Sequence, residues 1–530
     1  MTIRRPNRFL TATLTGALVI GALAGCGTAA ATPTDAASPV TISDVATSVD
    51  DALADNEDYT ELAALADESW DTTSETTIAL DGDGATVSGD GATADGSTVT
   101  ISAPGTYRIS GTLDDGQVIV SSEAGGLVRL VLDGADITSS TGSAIAVTQA
   151  DDVSVVLADG SSNSLTDAST YEDTSEDAPN AALFSSDAMV ISGTGALNVT
   201  GRSNDGIASK DGLVIASGDL TVTAVDDGVR GKDFLVVTGG ALDVDATGDG
   251  LKADNEDGAN DDGETVGYAA LLGGEITVAA GDDGVHAESD LLVGDATVTV
   301  SESVEGLEAA HILVTAGTVD VTSSDDGFNA AGGTITAATA ETTADTGAEG
   351  EPPASDTMPE GGPPQGGGGM PGEAAGDFSL AITGGTVTVD AGGDGLDSNG
   401  TLTVSGGDVT VFGPTDGGNG TLDSAGAITV NGGTLLAVGS SGMLQTPGDG
   451  SEGWVAAAFD TLSAGTDLVV VDSSGSTVAE VTLTKDVQAL VLASSAVTSG
   501  EEYTIQADGT EIATATAGDT PEGTGMAARP

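Results

Sequence analysis

The chain has 530 residues, 84 acidic and 12 basic, for a formal charge of −72, with 79 glycines and only 3% aromatics. A field of that sign excludes nucleic-acid binding through phosphate neutralisation and favours cations, calcium first; the competing reading is an acidic surface that only solubilises. Regular alternation of Val, Ile, Leu and Thr excludes disorder for most of the chain, although high charge with few aromatics would otherwise suit it.

Arg4, Arg5 and Arg8 precede a mostly apolar run of 15 residues, Phe9 to Leu23. That run is short for a membrane span of about 20 residues, so it reads as an export signal. It ends in Leu23-Ala24-Gly25-Cys26, which resembles a bacterial lipobox. Residues 1–25 are therefore expected to be a lipoprotein signal peptide, with Cys26 lipidated and the protein tethered at the extracellular face of the membrane or in the envelope. Cys26 is the only cysteine, so there is no disulfide framework.

Residues 26–75, rich in Ala, Thr, Ser and Asp, read as a flexible spacer with a short helix near 44–67. From Thr76 short apolar or alternating runs dominate, such as 98–102, 107–113, 117–120, 128–132 and 153–157, separated by Gly, Asp and Ser turns. Within this stretch an Asp-Gly phrase recurs every 22 residues, at Asp205-Gly206, Asp227-Gly228 and Asp249-Gly250, and returns at Asp283, Glu305, Asp326 and Asp394. Three short strands per period predict one coil of a parallel β-helix; a propeller blade needs about 40 residues. The expected fold is all-β: a right-handed parallel β-helix over 76–440 and a small antiparallel capping unit over 441–515. A loose tail follows over 516–530. A Pro/Gly-rich insertion at about 337–377 and an acidic one beginning at Asp254 break the period.

Stacked coils turn recurring residues into columns. The apolar residue after each glycine (Ile207, Val229, Leu251, Val285) points inward and belongs to a core ladder. Outward between the core positions lie Ala208, Arg230, Lys252, His286, Glu308, Asn329 and Asp397, and then Lys210, Lys232, Asp254 and Glu288. Arg202, Lys210, Arg230, Lys232 and Lys252 gather in one short stretch of a chain with few cations, so with His286 they are the candidate ligand-binding residues. Beside them, stacked carboxylates repel unless neutralised. Calcium takes six to eight oxygens, which makes Asp205, Asp227, Asp249, Asp254, Asp257 and Asp283 the candidate metal ligands. Two plainer readings stand beside these: Asp-Gly is a favoured turn dipeptide, and the cations could merely balance the aspartates.

The block "NDGIASKDGLVIASGDLTVTAVDDGVRGKDFLVVTGGALDVDATGDGLKADNEDG" at 204–258, with the stretches at 127–147 and 178–201, resembles bacterial carbohydrate-binding-domain proteins built on a right-handed parallel β-helix similar to pectate lyases. The resemblance spans about 76–510. It implies an extracellular, calcium-containing β-helix that binds acidic plant polysaccharide such as polygalacturonate. The later coils depart from the pattern, with Glu305 for Asp and Glu308 and Ala310 at the basic positions, so the binding face is expected to centre on 202–290. The expected function is non-catalytic binding of acidic polysaccharide by a monomeric, lipid-anchored surface protein. The alternatives are a calcium-dependent polysaccharide lyase and a structural adhesin. A lyase needs a base to remove the proton next to the uronate carboxylate. A lysine set among carboxylates is expected to have its pKa pushed up, which favours binding over catalysis.

Overall fold

The computed structural model describes residues 48–66, 69–175, 177–332, 376–448 and 451–521. Residues 1–25, read from the sequence as a signal peptide, Cys26, most of the Pro/Gly-rich insertion and the end of the tail lie outside the described residues.

The chain builds three parallel ladders, and the repeat dictates them. Asp205–Ser209, Gly212–Ile215 and Asp219–Ala224 are the three strands of one period. Each pairs in parallel with its counterpart one period on: Ile207 with Val229, Leu213 with Leu235, and Leu220 with Leu242. The first ladder is a separate thirteen-stranded sheet. The other two merge into one 24-stranded sheet through Leu127–Thr138, Thr401–Phe412 and Ile428–Gly439, each long enough to run through both. Third-ladder strands alternate cleanly, with Leu220, Val222 and Ala224 buried and Asp219, Thr221 and Thr223 exposed. Their inward side chains join those of the other ladders in one continuous core running from Ile78 to Ala493. Where the acidic insertion lengthens the step from Asp249 to Asp283, the register across it is still kept, Leu251 facing Val285.

Second-ladder strands are buried on both sides, as Gly212–Ile215 and Phe234–Val237 show. A strand buried on both faces needs a cover, and residues 48–66 supply it. This corrects the reading of 26–75 as a flexible spacer: over 48–66 the chain is docked. It forms single-turn helices at Val49–Ala52 and Thr60–Ala63 and crosses the ladder. The Leu65 carbonyl accepts from Ser154 Oγ (3.4 Å), and Asn56 Nδ2 donates to Asp290 Oδ2 (2.9 Å). Tyr268, stacked on Phe234 at 5.5 Å, donates its hydroxyl to the Glu57 carbonyl (2.7 Å). The acidic insertion helps to hold this strap, for Glu57 N–H donates to the Thr265 carbonyl (2.9 Å) and Asn260 Nδ2 to Glu57 Oε2 (3.0 Å).

At the far end the pairing turns antiparallel. Ile428–Gly439 pairs with Val487–Ser494, which pairs with Trp454–Leu462. A four-stranded antiparallel sheet of Thr477–Thr482, Asp467–Val471, Glu502–Ala507 and Thr510–Thr516 packs there around Leu468, Tyr503 and Ile505. Lys485 ties this unit to the ladders through Asp390 and the carbonyls of Ala391 and Phe412.

Candidate functional site

The outward face of the thirteen-stranded sheet carries the charged columns. Its register is continuous: Ala208 faces Arg230, Arg230 faces Lys252, Lys252 faces His286, His286 faces Glu308, Glu308 faces Asn329, Asn329 faces Asp397 and Asp397 faces Asp423. Read along the stack, the column begins apolar, where Phe184 and Ala208 form a small buried cluster with Ala181. It then turns cationic over three rungs and becomes acidic from Glu308 onward.

Beside it runs the turn column, which is buried. Asp205 is 1% exposed, Asp227 6%, Asp249 4%, Asp283 8% and Asp394 6%. Part of the reason is structural, because Asp227, Asp249 and Asp326 each accept the backbone N–H of the next rung, whereas Asp205 Oδ2 accepts from Asn180 Nδ2 (2.8 Å). Asp249 N–H donates to Asp227 Oδ1 (3.0 Å), Asp283 N–H to Asp249 Oδ1 (3.0 Å) and Asp394 N–H to Asp326 Oδ1 (2.6 Å). Gly420 N–H closes the series on Asp394 Oδ1.

In the first half of the stack the structure pairs the two residue sets that the sequence treats separately. Arg230 grips Asp254 with two bonds (2.8 and 2.6 Å) and lies 3.9 Å from Asp205. The Lys252 ammonium sits between Asp249 (2.7 Å) and Asp227 (3.2 Å). His286 meets Glu308 (2.8 Å) and Asp283 (3.2 Å) through Nδ1 and approaches Glu288 (3.7 Å) through Nε2. Burial pulls the Lys252 pKa down, but Asp249 and Asp227 outweigh it and hold the ammonium above its ordinary value. Burial likewise opposes the His286 charge, yet hydrogen bonds to Asp283, Glu288 and Glu308 push its pKa up to about 12. Asp205, with burial and Asp227 raising it against Arg230, is pushed up to about 8.

The remaining sequence candidates lie outside this pairing. Among the described residues Arg202, Lys210 and Lys232 make no ion pair. Arg202 is exposed, whereas Lys210 and Lys232 are half-buried on neighbouring rungs. Contrary to the expectation that carboxylates push every lysine up, the Lys210 pKa is lowered, by burial first and by Arg230 second. Asp257 is exposed in the acidic insertion, away from the turn column, and its N–H donates to Asn255 Oδ1 (2.9 Å).

The second half of the stack is where the sequence reading was thin. Here Glu305, Glu308, Asp326, Asp394, Asp397 and Asp423 gather with no lysine or arginine in the column. Burial and mutual repulsion push Asp326 up to about 6, Asp394 up to about 7, and Glu305 and Asp397 up to about 8. Two groups bring one ligand atom from each member within 4.8 Å of the others: Asp283, His286 and Glu308, and Asp326, Asp394 and Asp397. Only Asp283 and His286 were among the sequence candidates. The signal for the rest was visible as the change from basic to acidic residues down the outward column, which reads in the sequence as a loss of pattern.

The family model for carbohydrate-binding domain-containing proteins matches residues 95–350. A carbohydrate-binding domain-containing protein of Acetivibrio thermocellus is 42% identical over 217 residues, which span 41% of this chain and 74% of the relative. The chain therefore belongs to the family of carbohydrate-binding domain-containing proteins. A solved structure, described as that of the polysaccharide lyase-like protein from C. thermocellum in a gadolinium derivative, is 35% identical. It covers 43% of this chain and 91% of its own, with a TM-score of 0.41.

Proposed function

We propose that the chain binds acidic polysaccharide of the polygalacturonate type without cleaving it, on the outward face of the thirteen-stranded sheet and with calcium as a cofactor. In this reading the three ladders wind as a right-handed parallel β-helix of 22-residue coils, the hand that parallel crossovers take. Lipid on Cys26 would anchor the protein outside the membrane. One observation carries the reading. In a chain of charge −72, Lys210 and Lys232 stack on adjacent rungs without a carboxylate partner among the described residues. Rungs about 4.8 Å apart present such cations to successive carboxylates of an extended polymer. Two polyanions repel at long range, so contact needs a bridging divalent cation, which is the place for calcium.

The lowered Lys210 pKa favours a second reading, a lyase in which this amine takes the proton next to the uronate carboxylate. Retention of the full-length chain on immobilised polygalacturonate, with calcium or with chelator, separates the two when ultraviolet absorbance of the polymer is followed alongside. Calcium-dependent retention with flat absorbance, lost in the double variant Lys210→Ala/Lys232→Ala, supports binding. Rising absorbance that disappears in Lys210→Ala supports the lyase. Retention unaffected by the double variant would sink the assignment of these lysines, and no retention at all would sink the polyuronate.

A further inference from the structure

Two cations of the outward column are held in different ways. Lys252 leans on Asp227 and Asp249, carboxylates that each also accept the backbone N–H of the next rung. Arg230 leans on Asp254, whose carboxylate hydrogen bonds among the described residues both come from Arg230, at 2.8 and 2.6 Å. Asp254 is the first residue past the strand Leu251–Ala253, at the start of the acidic insertion. Its side chain is 19% exposed and that of Arg230 17%, so water reaches both. The turn carboxylates are fixed by the backbone, whereas the Asp254 carboxylate is kept in place by a guanidinium.

The place it occupies is a cationic one. The Lys210 pKa is lowered by burial first and by the Arg230 charge second; Lys232 adds to the fall and Asp254 opposes it. Arg230, Lys210 and Lys232 therefore share one patch, and Asp254 sits within it. Asn255 N–H donates to the Lys232 carbonyl (3.0 Å), which fixes the start of the insertion on that rung. A carboxylate gripped with two bonds by an arginine, beside two lysines, makes the contacts that a uronate carboxylate would make there.

Resting on the polyuronate reading of this face, we propose that Asp254 is a built-in stand-in for a ligand carboxylate, capping Arg230 in the ligand-free protein and giving it up to a uronate carboxylate on binding. One arginine–carboxylate pair replaces another, so the guanidinium is not stranded at any stage. Its Nη1 stays 3.9 Å from Asp205, which keeps it on the face when Asp254 leaves. The released Asp254 moves into water with the exposed acidic residues of the insertion, such as Asp257, Asp261 and Asp262. The occupied site then has three cations, Arg230, Lys210 and Lys232, where the ligand-free face offers two. Asp254 competes with the ligand for the third and holds affinity below what the patch can give.

The test is retention of the full-length chain on immobilised polygalacturonate, wild type against Asp254→Asn, with stability in denaturant measured on both without ligand. The Asn variant is expected to bind about tenfold more tightly, since a charged hydrogen-bonding partner is freed, and yet to unfold at lower denaturant, since it gives up the Arg230 pair. An Asp254 that only braces the face would lower affinity and stability together. Asp254→Ala serves should the Asn side chain keep Arg230 through its amide oxygen. A second readout uses the wild type alone: the Arg230 Nε–H resonance should shift when oligogalacturonate is added. Wild type retained, with the variants no tighter or the Arg230 resonance unmoved, overturns the exchange and leaves the binding function standing. Wild type not retained overturns both.

Discussion

At the residue scale, the cations of the outward column divide into those the protein uses for itself and those it leaves over. Arg230 holds the half-buried Asp254 carboxylate with two bonds and lies 3.9 Å from Asp205. Removing one partner of such a pair strands the other. Arg230→Ala is expected to destabilise the fold by about 3 kcal/mol in chemical denaturation, whereas Lys232→Ala, with no ion pair to break, should stay within about 0.5 kcal/mol of the wild type. The substitution that reads out ligand contact is therefore the lysine. His286 gives a second prediction. Its pKa rises from 6.5 to about 12 on folding, so its stabilising contribution is complete below about pH 6.5 and is lost as pH climbs toward 12. Its imidazole resonances should show no titration between about pH 5 and 9 in nuclear magnetic resonance; a midpoint near 6.5 would mean that the contacts to Asp283 and Glu308 do not persist in solution.

At the element scale, the glycine of each Asp-Gly pair answers to packing between coils. A Cβ on Gly228 would sit 2.2 Å from Val244 Cγ1 and 2.6 Å from the Gly250 carbonyl oxygen, and one on Gly250 would meet Val278 and Gly284 in the same way. None of these glycines has a positive φ. The dipeptide is fixed by close approach of the next rung and of the third strand's valine, not by turn conformation. Gly228→Ala is expected to cost about 1–3 kcal/mol through overpacking, read as a fall in the denaturation midpoint with unchanged slope. The strap at 48–66 gives the other prediction at this scale. Tyr268→Phe deletes the bond to the Glu57 carbonyl and should cost about 1 kcal/mol, with faster hydrogen exchange confined to residues 48–66.

For the whole molecule, the acidic balance sets the response to pH. Asp205, Glu305, Asp394 and Asp397 all have folded pKa values raised to about 7 or 8 from 3.8 or 4.5. Above about pH 4 the unfolded chain has released these protons while the folded chain retains them, so stability falls as pH rises from about 4 to 8. His286 works in the same direction above about 6.5. Calcium-free protein should therefore melt higher at pH 5 than at pH 8, and calcium should narrow the gap by binding the ionised carboxylates at pH 8. A melting temperature that climbs from pH 5 to pH 8 without calcium would contradict this account of the acidic end.

Much of the architecture was legible because its cause is local and repeated. A 22-residue period with alternating apolar positions places Ile207, Val229 and Leu251 inward and Arg230, Lys252 and His286 outward, and the observed register keeps those assignments. The columns, the charge and the parallel stacking follow from the sequence by itself, since each depends only on residue type and spacing. Which column members neutralise one another did not follow from it. That depends on side chains from successive rungs meeting, such as Lys252 between Asp227 and Asp249. The docking of residues 48–66 was hidden for the same reason: the apolar backs of the second-ladder strands create the need for a cover only once the coils are stacked. Spacing fixed the faces, and the tertiary structure decided how charge is distributed over them, because Coulomb and desolvation energies depend on distances and burial that a linear pattern does not contain.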